Sequence, residues 1–263
     1  MLNNLVKKRV TKFKKYRFLF SELVNRDFQQ KYKRTILGMF WSILSPLLNL
    51  LIMKIVFTQF FGKDSPHYTT YLFSGNLILA FFKEATQNGM RSLMENNKII
   101  SKINVPKYLF LLSKNVSALV NFSLTLCVYF LFCFIDGIHF GPHMLALLLP
   151  TVCLVIMNIG VGMILSALFV FFRDIQYLYD VFLTLLTYVS AIFYKLDRFP
   201  AAYQKLFLLN PVYVIINYYR TVVISGAIPS LPYHGLMLFY SAFFLILGSN
   251  IYKKYNTEFV YYF

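Results

Sequence analysis

Long apolar runs alternate with short polar segments along the chain. Six of the runs are long enough for an α-helix to cross a hydrocarbon core of about 30 Å, which takes roughly 20 residues. They occupy residues 36–61, 70–90, 110–135, 144–172, 175–194 and 235–252. The pattern predicts an all-α, polytopic membrane protein with six transmembrane helices. The six helices belong to a single transmembrane domain over residues 1–263, and the last part of that domain, 253–263, is a tail.

The segment before the first run, residues 1–34, is basic and amphipathic. Apolar side chains recur at i, i+3 and i+4 from Tyr16 to Phe28, among many lysines and arginines. This pattern is typical of a helix that lies in the membrane interface. Such a helix can serve only as an orientation anchor, or its cytoplasmic surface can receive a polar substrate or a soluble partner.

The stretch 195–234 is too long for a simple connector and too apolar for a water-exposed loop. Pro200, Asn210-Pro211 and Gly226 divide it into two short segments, 200–209 and 211–224. We predict two short re-entrant helices in the outer leaflet, which a bilayer tolerates only where they are buried in protein or line a polar cavity. The pattern indicates an outer gate, and its tyrosines are expected to face the substrate: Tyr213, Tyr218 and Tyr219.

Composition and charge agree with a membrane protein. Apolar residues make up 58% of the chain and charged residues 14%, and the mean hydropathy is +0.59. The net charge of +16 would suggest a nucleic-acid partner in a soluble chain. Here the excess of positive charge is better explained by the orientation of the protein in the membrane. When both termini are cytoplasmic, the cytoplasmic segments hold 19 lysines and arginines and the outer segments hold five. We predict a cytoplasmic-membrane protein with cytoplasmic termini, contacts with membrane lipids, no nucleic-acid partner and no removable signal peptide.

Two sites in the first two apolar runs carry charge, Lys54 and the pair Lys83-Glu84. Lys54 lies near the outer end of the first span, so its amine is expected to reach the headgroups. Lys83 and Glu84 lie deeper in the second span, where a charge costs at least about 2.5–3.5 kcal/mol. Both are therefore expected to face a protein partner or a polar pathway.

The sequence offers no motif for covalent or metal chemistry. It has no phosphate-binding glycine-rich loop with lysine and no zinc-protease motif. Its three cysteines lie in apolar runs without paired-ligand spacing, and Gly-Pro separates His139 from His143. We expect no enzymatic activity and no metal site, so energy must come from another polypeptide or an ion gradient.

Two short connections are predicted on the cytoplasmic side. Residues 95–106 allow one short helix with Ile99, Ile100 and Ile103 on one side, which either docks into a partner's groove or forms a plain membrane-surface turn. Residues 171–175 make a tight turn in which the adjacent Arg173 and Asp174 cannot pair with each other on a helix. They either pair with other segments or act only as a stop signal.

Taken together, ordered motifs along nearly the whole chain resemble one family, the permease subunits of ABC transporters that export cell-surface polysaccharides. These are the O-antigen (Wzm-like) and teichoic-acid (TagG-like) exporters. The motifs are Arg26-Asp27 with Lys31-Tyr32-Lys33, Leu37-Gly38 and Trp41, Pro46, Tyr71 to Gly75, Lys102 to Pro106, Phe171 to Ile175, Ile192 to Tyr194, Asn210-Pro211 and Tyr219-Arg220.

The resemblance implies a homodimer with two separate ATP-binding subunits and a lipid-linked polysaccharide as substrate. ATP and magnesium would be held by those subunits, so this chain needs no cofactor. It also implies three groups of site residues: a cytoplasmic gate where substrate is admitted (Arg26, Asp27, Lys31, Tyr32, Lys33, Arg34), an ATPase-coupling surface (Lys98, Ile99, Ile100, Lys102, Ile103, Pro106, Arg173, Asp174), and a channel with an outer gate (Glu84, Tyr194, Asn210, Pro211, Tyr213, Tyr218, Tyr219, Arg220).

The chain departs from the family at a few positions. Ala191 stands where proline is common, Lys107-Tyr108 where Arg-Glu is common, and Asn217 where an acidic residue is frequent. Two rival functions remain open. An ABC permease for small amphiphiles or drugs shares this topology. A membrane glycosyl- or acyltransferase is disfavoured by the scarcity of embedded carboxylates and histidines.

Overall fold

The computed structural model describes residues 16–29, 35, 37–57, 67–196 and 199–262. Helices dominate these ranges, and no strand occurs within them, which confirms the all-α prediction. The helices are α1 (16–29), α2 (Trp41–Phe57), α3 (Tyr68–Glu95), α4 (Asn97–Ile100), α5 (Tyr108–Ile135), α6 (Leu148–Phe171), α7 (Ile175–Val189), α8 (Ala201–Leu206), α9 (Pro211–Ser225) and α10 (Leu231–Tyr255).

Several of these helices suit a bilayer by length and composition. Among the described residues, Tyr108–Ile135, Pro142–Phe171 and Leu231–Tyr255 are long and apolar enough to cross, and α8 and α9 together would make a fourth, bent span. The apolar helices α2 and α7 are shorter, with 17 and 15 residues. Helix α3 has 28 residues but carries polar side chains along its length. The Lys54 side chain is exposed.

Helix α3 lies at the centre of the fold, in contact with α5, α6 and α9. Side chains around most of its circumference are buried, as expected for a helix with neighbours on several sides. Helix α6 also packs along α10. The core that results extends from Phe73 and Tyr129 to Leu154, Val214 and Met237.

Glycines allow α6 and α10 to approach closely. A Cβ atom at Gly160 would lie 2.4 Å from the backbone carbon of Phe244, and one at Gly248 would lie 2.5 Å from the carbonyl oxygen of Gly160. Lipid tails are as apolar as the helices, so membrane helices associate through such close van der Waals contact rather than through the hydrophobic effect.

A second apolar cluster gathers the segments assigned to the cytoplasmic side. It joins Leu23 of α1, Ile100 of α4, Val170 of α6 and Tyr252 of α10, together with Phe259 from the segment after α10. Phe259 is completely buried. The cluster therefore holds α1 and the connection between α3 and α5 against the ends of α6 and α10.

Helix α7 is attached to α3 mainly by polar contacts. Lys83 donates to the Thr187 hydroxyl at 2.8 Å, Gln87 donates to the Asp180 carboxylate at 2.8 Å, and the Tyr179 hydroxyl donates to Thr86 at 2.6 Å. The opposite face of α7 is apolar and exposed, at Tyr177, Leu178, Val181, Phe182, Leu185, Tyr188 and Val189.

We predict that Gly248→Ala destabilises the protein, because the new Cβ would meet the Gly160 carbonyl at 2.5 Å and the Met163 Cβ at 2.9 Å. Overpacking of this kind costs about 1–3 kcal/mol. The control is Gly235→Ala on the same helix, where nothing lies within 4 Å of the new Cβ. Thermal unfolding in detergent should show a lower midpoint for Gly248→Ala alone; equal midpoints for the two variants would refute the close contact.

Candidate functional site

Two cavities adjoin along one side of α3, and both have polar side chains in their walls, which in the first cavity are mixed with apolar ones. The first, about 710 Å³, lies between α2, α3 and α5, and the second, about 540 Å³, lies between α1, α3 and α5. Both are lined by Ala80 and Glu84, so together they form one groove. Its polar lining consists of Thr35, Trp41, Ser42, Ser45, Asn49, Asn76, Asn121 and Thr125 in the first cavity, and Asp27, Lys83, Gln87, Asn88, Glu95, Lys114 and Ser117 in the second.

Glu84 lies where the two cavities meet. Its Oε1 atom accepts a hydrogen bond from the Asn121 amide of α5 at 2.7 Å. The preceding residue, Lys83, donates a hydrogen bond from its ammonium to the Thr187 hydroxyl of α7. Both embedded charges thus have polar partners on other helices, as the cost of an isolated charge in a bilayer requires.

The inner end of the groove is closed by a charge network. The Asp27 carboxylate is almost fully buried and accepts from Arg26 at 2.8 Å and from the Ser113 hydroxyl at 3.0 Å, while Lys114 lies 3.3 Å away. Lys114 also pairs with Glu95 at 2.7 Å. Helix α1 is therefore anchored to α5 and α3 through its acidic residue. Asp27 acts as a structural anchor here, with its oxygens occupied inside the protein.

The groove offers hydrogen-bond donors and acceptors rather than reactive groups. Amides from asparagine and glutamine, hydroxyls from serine and threonine, and the Trp41 ring all line it. No group of three or more histidine, cysteine or acidic side chains that could hold a metal ion occurs within the described ranges. Such a lining suits a ligand that is rich in hydroxyl groups.

The outer end of the fold is formed by the bent pair α8–α9. The axis turns by 109° between Tyr203–Leu209 and Pro211–Ser225. The Asn210 side chain caps α9 by accepting from the backbone N–H groups of Val212 and Tyr213, and it donates to the Ser190 hydroxyl at 3.0 Å. Pro211 occupies the first turn of α9, where its missing N–H costs nothing. The boundary predicted at Asn210-Pro211 is confirmed.

Arg220 fixes this bent pair to the rest of the protein. Its guanidinium is buried and donates to the backbone oxygens of Tyr71, Ala191 and Ile192 at 2.9–3.3 Å. It also stacks on the Tyr71 ring, 3.5 Å from the centroid. In the described part of the chain no carboxylate lies within ion-pair distance of it. Carbonyl dipoles and an aromatic face therefore replace a counter-charge.

The three tyrosines expected to face substrate are buried among helices in this structure. Tyr213, Tyr218 and Tyr219 are 7%, 1% and 0% exposed, because α9 is packed between α3, α6 and α10. Tyr219 shares a hydrogen bond with Thr151, and Tyr218 shares one with His234 at 3.0 Å. They hold the bent pair in place. Tyr194 is half-buried and donates to the Tyr188 carbonyl at 2.8 Å.

The residues assigned to coupling divide into two sets. Ile100 is buried in the cytoplasmic cluster, and Ile99 is half-buried against it. Exposed positions are Lys98, Lys102, Ile103, Arg173 and Asp174. Pro106 precedes α5 by two residues and accepts from Leu109. Among the described residues, Arg173 and Asp174 form no ion pair.

The remaining gate residues, Lys31, Tyr32, Lys33 and Arg34, lie outside the described residues. Sequence reasoning missed the groove residues Asn49, Asn76 and Asn121. Their signal was available, because an amide inside an apolar run indicates a helix face directed to polar surroundings. It was weaker than the signal of Glu84, which bears a charge.

A model of the ABC-2 type transporter family matches residues 19–224. The O-antigen export system permease protein RfbA of Klebsiella pneumoniae is 27% identical over 246 residues, which cover 92% of this chain and 95% of that protein. RfbA of Myxococcus xanthus is 25% identical, covering 93% and 95%. The polysialic acid transport protein KpsM of Escherichia coli is 24% identical over 238 residues, covering 87% and 90%.

We predict opposite effects for two substitutions at Ala191. This residue has a φ of 49°, where a non-glycine residue is strained by about 1–2 kcal/mol and where proline, fixed near −65°, cannot fit. Ala191→Gly should keep or raise the unfolding midpoint, whereas Ala191→Pro should lower it by displacing the carbonyl that accepts from Arg220 at 2.9 Å. Thermal unfolding of both variants in one detergent checks this. A proline variant as stable as the parent would mean that the turn has a different conformation.

Proposed function

Because the chain belongs to the ABC-2 type transporter family, we propose that it is the permease subunit of an ATP-driven exporter for a lipid-linked polysaccharide. The direction is from the cytoplasmic leaflet outward. The observation that carries the proposal is the polar groove centred on Glu84, set in an otherwise apolar helical protein. The names of the relatives, O-antigen export permease and polysialic acid transport protein, support a glycan as the cargo.

The polar and aromatic side chains of the groove match the chemistry of a glycan. Sugar rings present hydroxyl groups at their edges and C–H groups on their faces, which match amides at the edges and an aromatic ring against a face. Asn49, Asn76, Asn121 and Trp41 supply these groups in the first cavity. The same cavity also has apolar side chains in its wall, which would suit the apolar part of an amphiphile, the alternative cargo.

In this proposal the polypeptide has six spans, formed by α2, α3, α5, α6, α7 and α10, with both termini in the cytoplasm. The distribution of lysines and arginines supports this orientation. Helices α8 and α9 form a re-entrant gate on the outer side, where burial against α3, α6 and α10 supports the return of the backbone within the membrane. The domain is a single unit over residues 1–263.

ATP binding and hydrolysis take place in separate subunits, two for each pair of copies of this chain. The exposed residues Lys98, Lys102, Ile103, Arg173 and Asp174 are available for those subunits on adjacent cytoplasmic connections. Helix α1, anchored by Asp27, lies beside the groove and would receive the lipid-linked phosphate with the basic residues that follow it.

We expect that deletion of this gene removes the surface glycan and causes glycan to accumulate inside the cell, because synthesis continues without export. Immunoblots of surface and intracellular fractions measure both. Drug sensitivity with normal surface glycan would support a small-amphiphile permease. Loss of glycan synthesis itself would support a transferase.

We also predict that Glu84→Leu lowers the export rate at least tenfold, since it replaces the central polar group of the groove with an apolar one. The matched control is Glu22→Leu, a carboxylate on the exposed side of α1 and outside both cavities. Both variants should assemble with the ATP-binding subunit. Export is measured as surface glycan in the complemented deletion strain, and equal export by the two variants would remove Glu84 from the pathway.

A further inference from the structure

The segment after α10 folds back onto the cytoplasmic face. Residues Glu258–Tyr262 form a short 3-10 helix, and the Phe259 side chain is completely buried. Its ring lies 5.5 Å from that of Tyr252 and 5.9 Å from that of Phe171, measured between centroids. By contrast, Tyr261 of the same segment is 86% exposed. Phe259 therefore anchors the segment.

This segment contacts both cytoplasmic connections of the protein. The first contact is made by Lys107, which precedes α5: its ammonium donates to the backbone oxygen of Asn256 and lies 5.7 Å from the centroid of the Phe259 ring. Burial lowers the pKa of the Lys107 ammonium. The second contact is made by Phe171, the last residue of α6, next to the turn at 172–174. Its ring centroid also lies 4.8 Å from that of Tyr262.

The connection between α4 and α5 has little to hold it in place by itself. Residues 101–104 are exposed, and the chain there is not helical. Its buried contacts are Val105 and, on the side of α4, Ile100. Ordering a loose loop on binding costs conformational entropy. Contacts that fix the loop beforehand therefore raise its affinity for a binding partner. Lys107 provides such a contact from the C-terminal side of the loop.

We propose that residues 256–262 are a positioning element that holds the 97–107 and 172–174 connections at a fixed spacing for the ATP-binding subunit. The proposal rests on the proposed function. Phe259 anchors the element, and Lys107 links it to the loop. Neither side chain has to touch the ATP-binding subunit or the nucleotide.

The test measures ATP hydrolysis as the ATP-binding subunit encoded beside this gene is titrated onto full-length chain in nanodiscs. We expect Phe259→Ala and Lys107→Met to raise the half-saturating concentration of that subunit about tenfold. The maximal rate should stay unchanged, since the assembled complex is the same. Phe259→Leu, which keeps an apolar anchor, should restore most of the affinity, and Tyr261→Ala is the control.

The outcomes separate the two proposals. If the parent chain stimulates no hydrolysis and binds no ATP-binding subunit, the proposed function fails. If the parent binds but Phe259→Ala and Lys107→Met bind equally well, or lose maximal rate without loss of affinity, the positioning role is overturned. Should Phe259→Ala not fold, as judged by size-exclusion chromatography, Lys107→Met and Phe259→Leu decide the question.

Discussion

The buried guanidinium of Arg220 is the interaction on which the outer half of the protein depends. A bilayer supplies no water to the backbone, so every polar group of a bent segment must be satisfied within the protein. Arg220 satisfies carbonyls from α3 and from the 191–192 turn at the same time. Gly75 makes this possible, because a Cβ atom there would lie 2.8 Å from the guanidinium. These hydrogen bonds hold the bent pair α8–α9 against α3 and the 191–192 turn.

Helix α3 connects this anchor to the groove and to α1. Its outer end holds Arg220 through Tyr71, its middle places Glu84 in the groove, and its inner end brings Glu95 to Lys114. One helix thus contacts the bent pair α8–α9, the groove and the residues that anchor α1. A movement of the cytoplasmic connections transmitted to α3 would reach all three, which is how we expect ATP binding in a partner to open the path.

The basic leader has a clearer role than its charge alone indicates. Asp27, the acidic residue in its most characteristic motif, is buried and bonded to Ser113 and Arg26, so it fixes α1 to the core. The cytoplasmic cluster adds an apolar anchor at Leu23, next to Ile100 and Phe259. Helix α1, α4 and the segment after α10 therefore share one small core.

By itself, the sequence determined the helical class, the approximate limits of the long helices and the break at Asn210-Pro211, because these follow from apolar periodicity and from proline and capping chemistry, which act locally. Only the tertiary structure decided which side a polar residue faces. Tyr218 and Tyr219 were expected to line a pathway, yet α9 is surrounded by other helices and buries them. Ile99 and Ile100 could not be separated from the exposed Ile103, because the short α4 ends before it. The groove around Glu84 forms only where α2, α3 and α5 pack together. Its lining comes from several segments, so no single segment of the sequence predicts it.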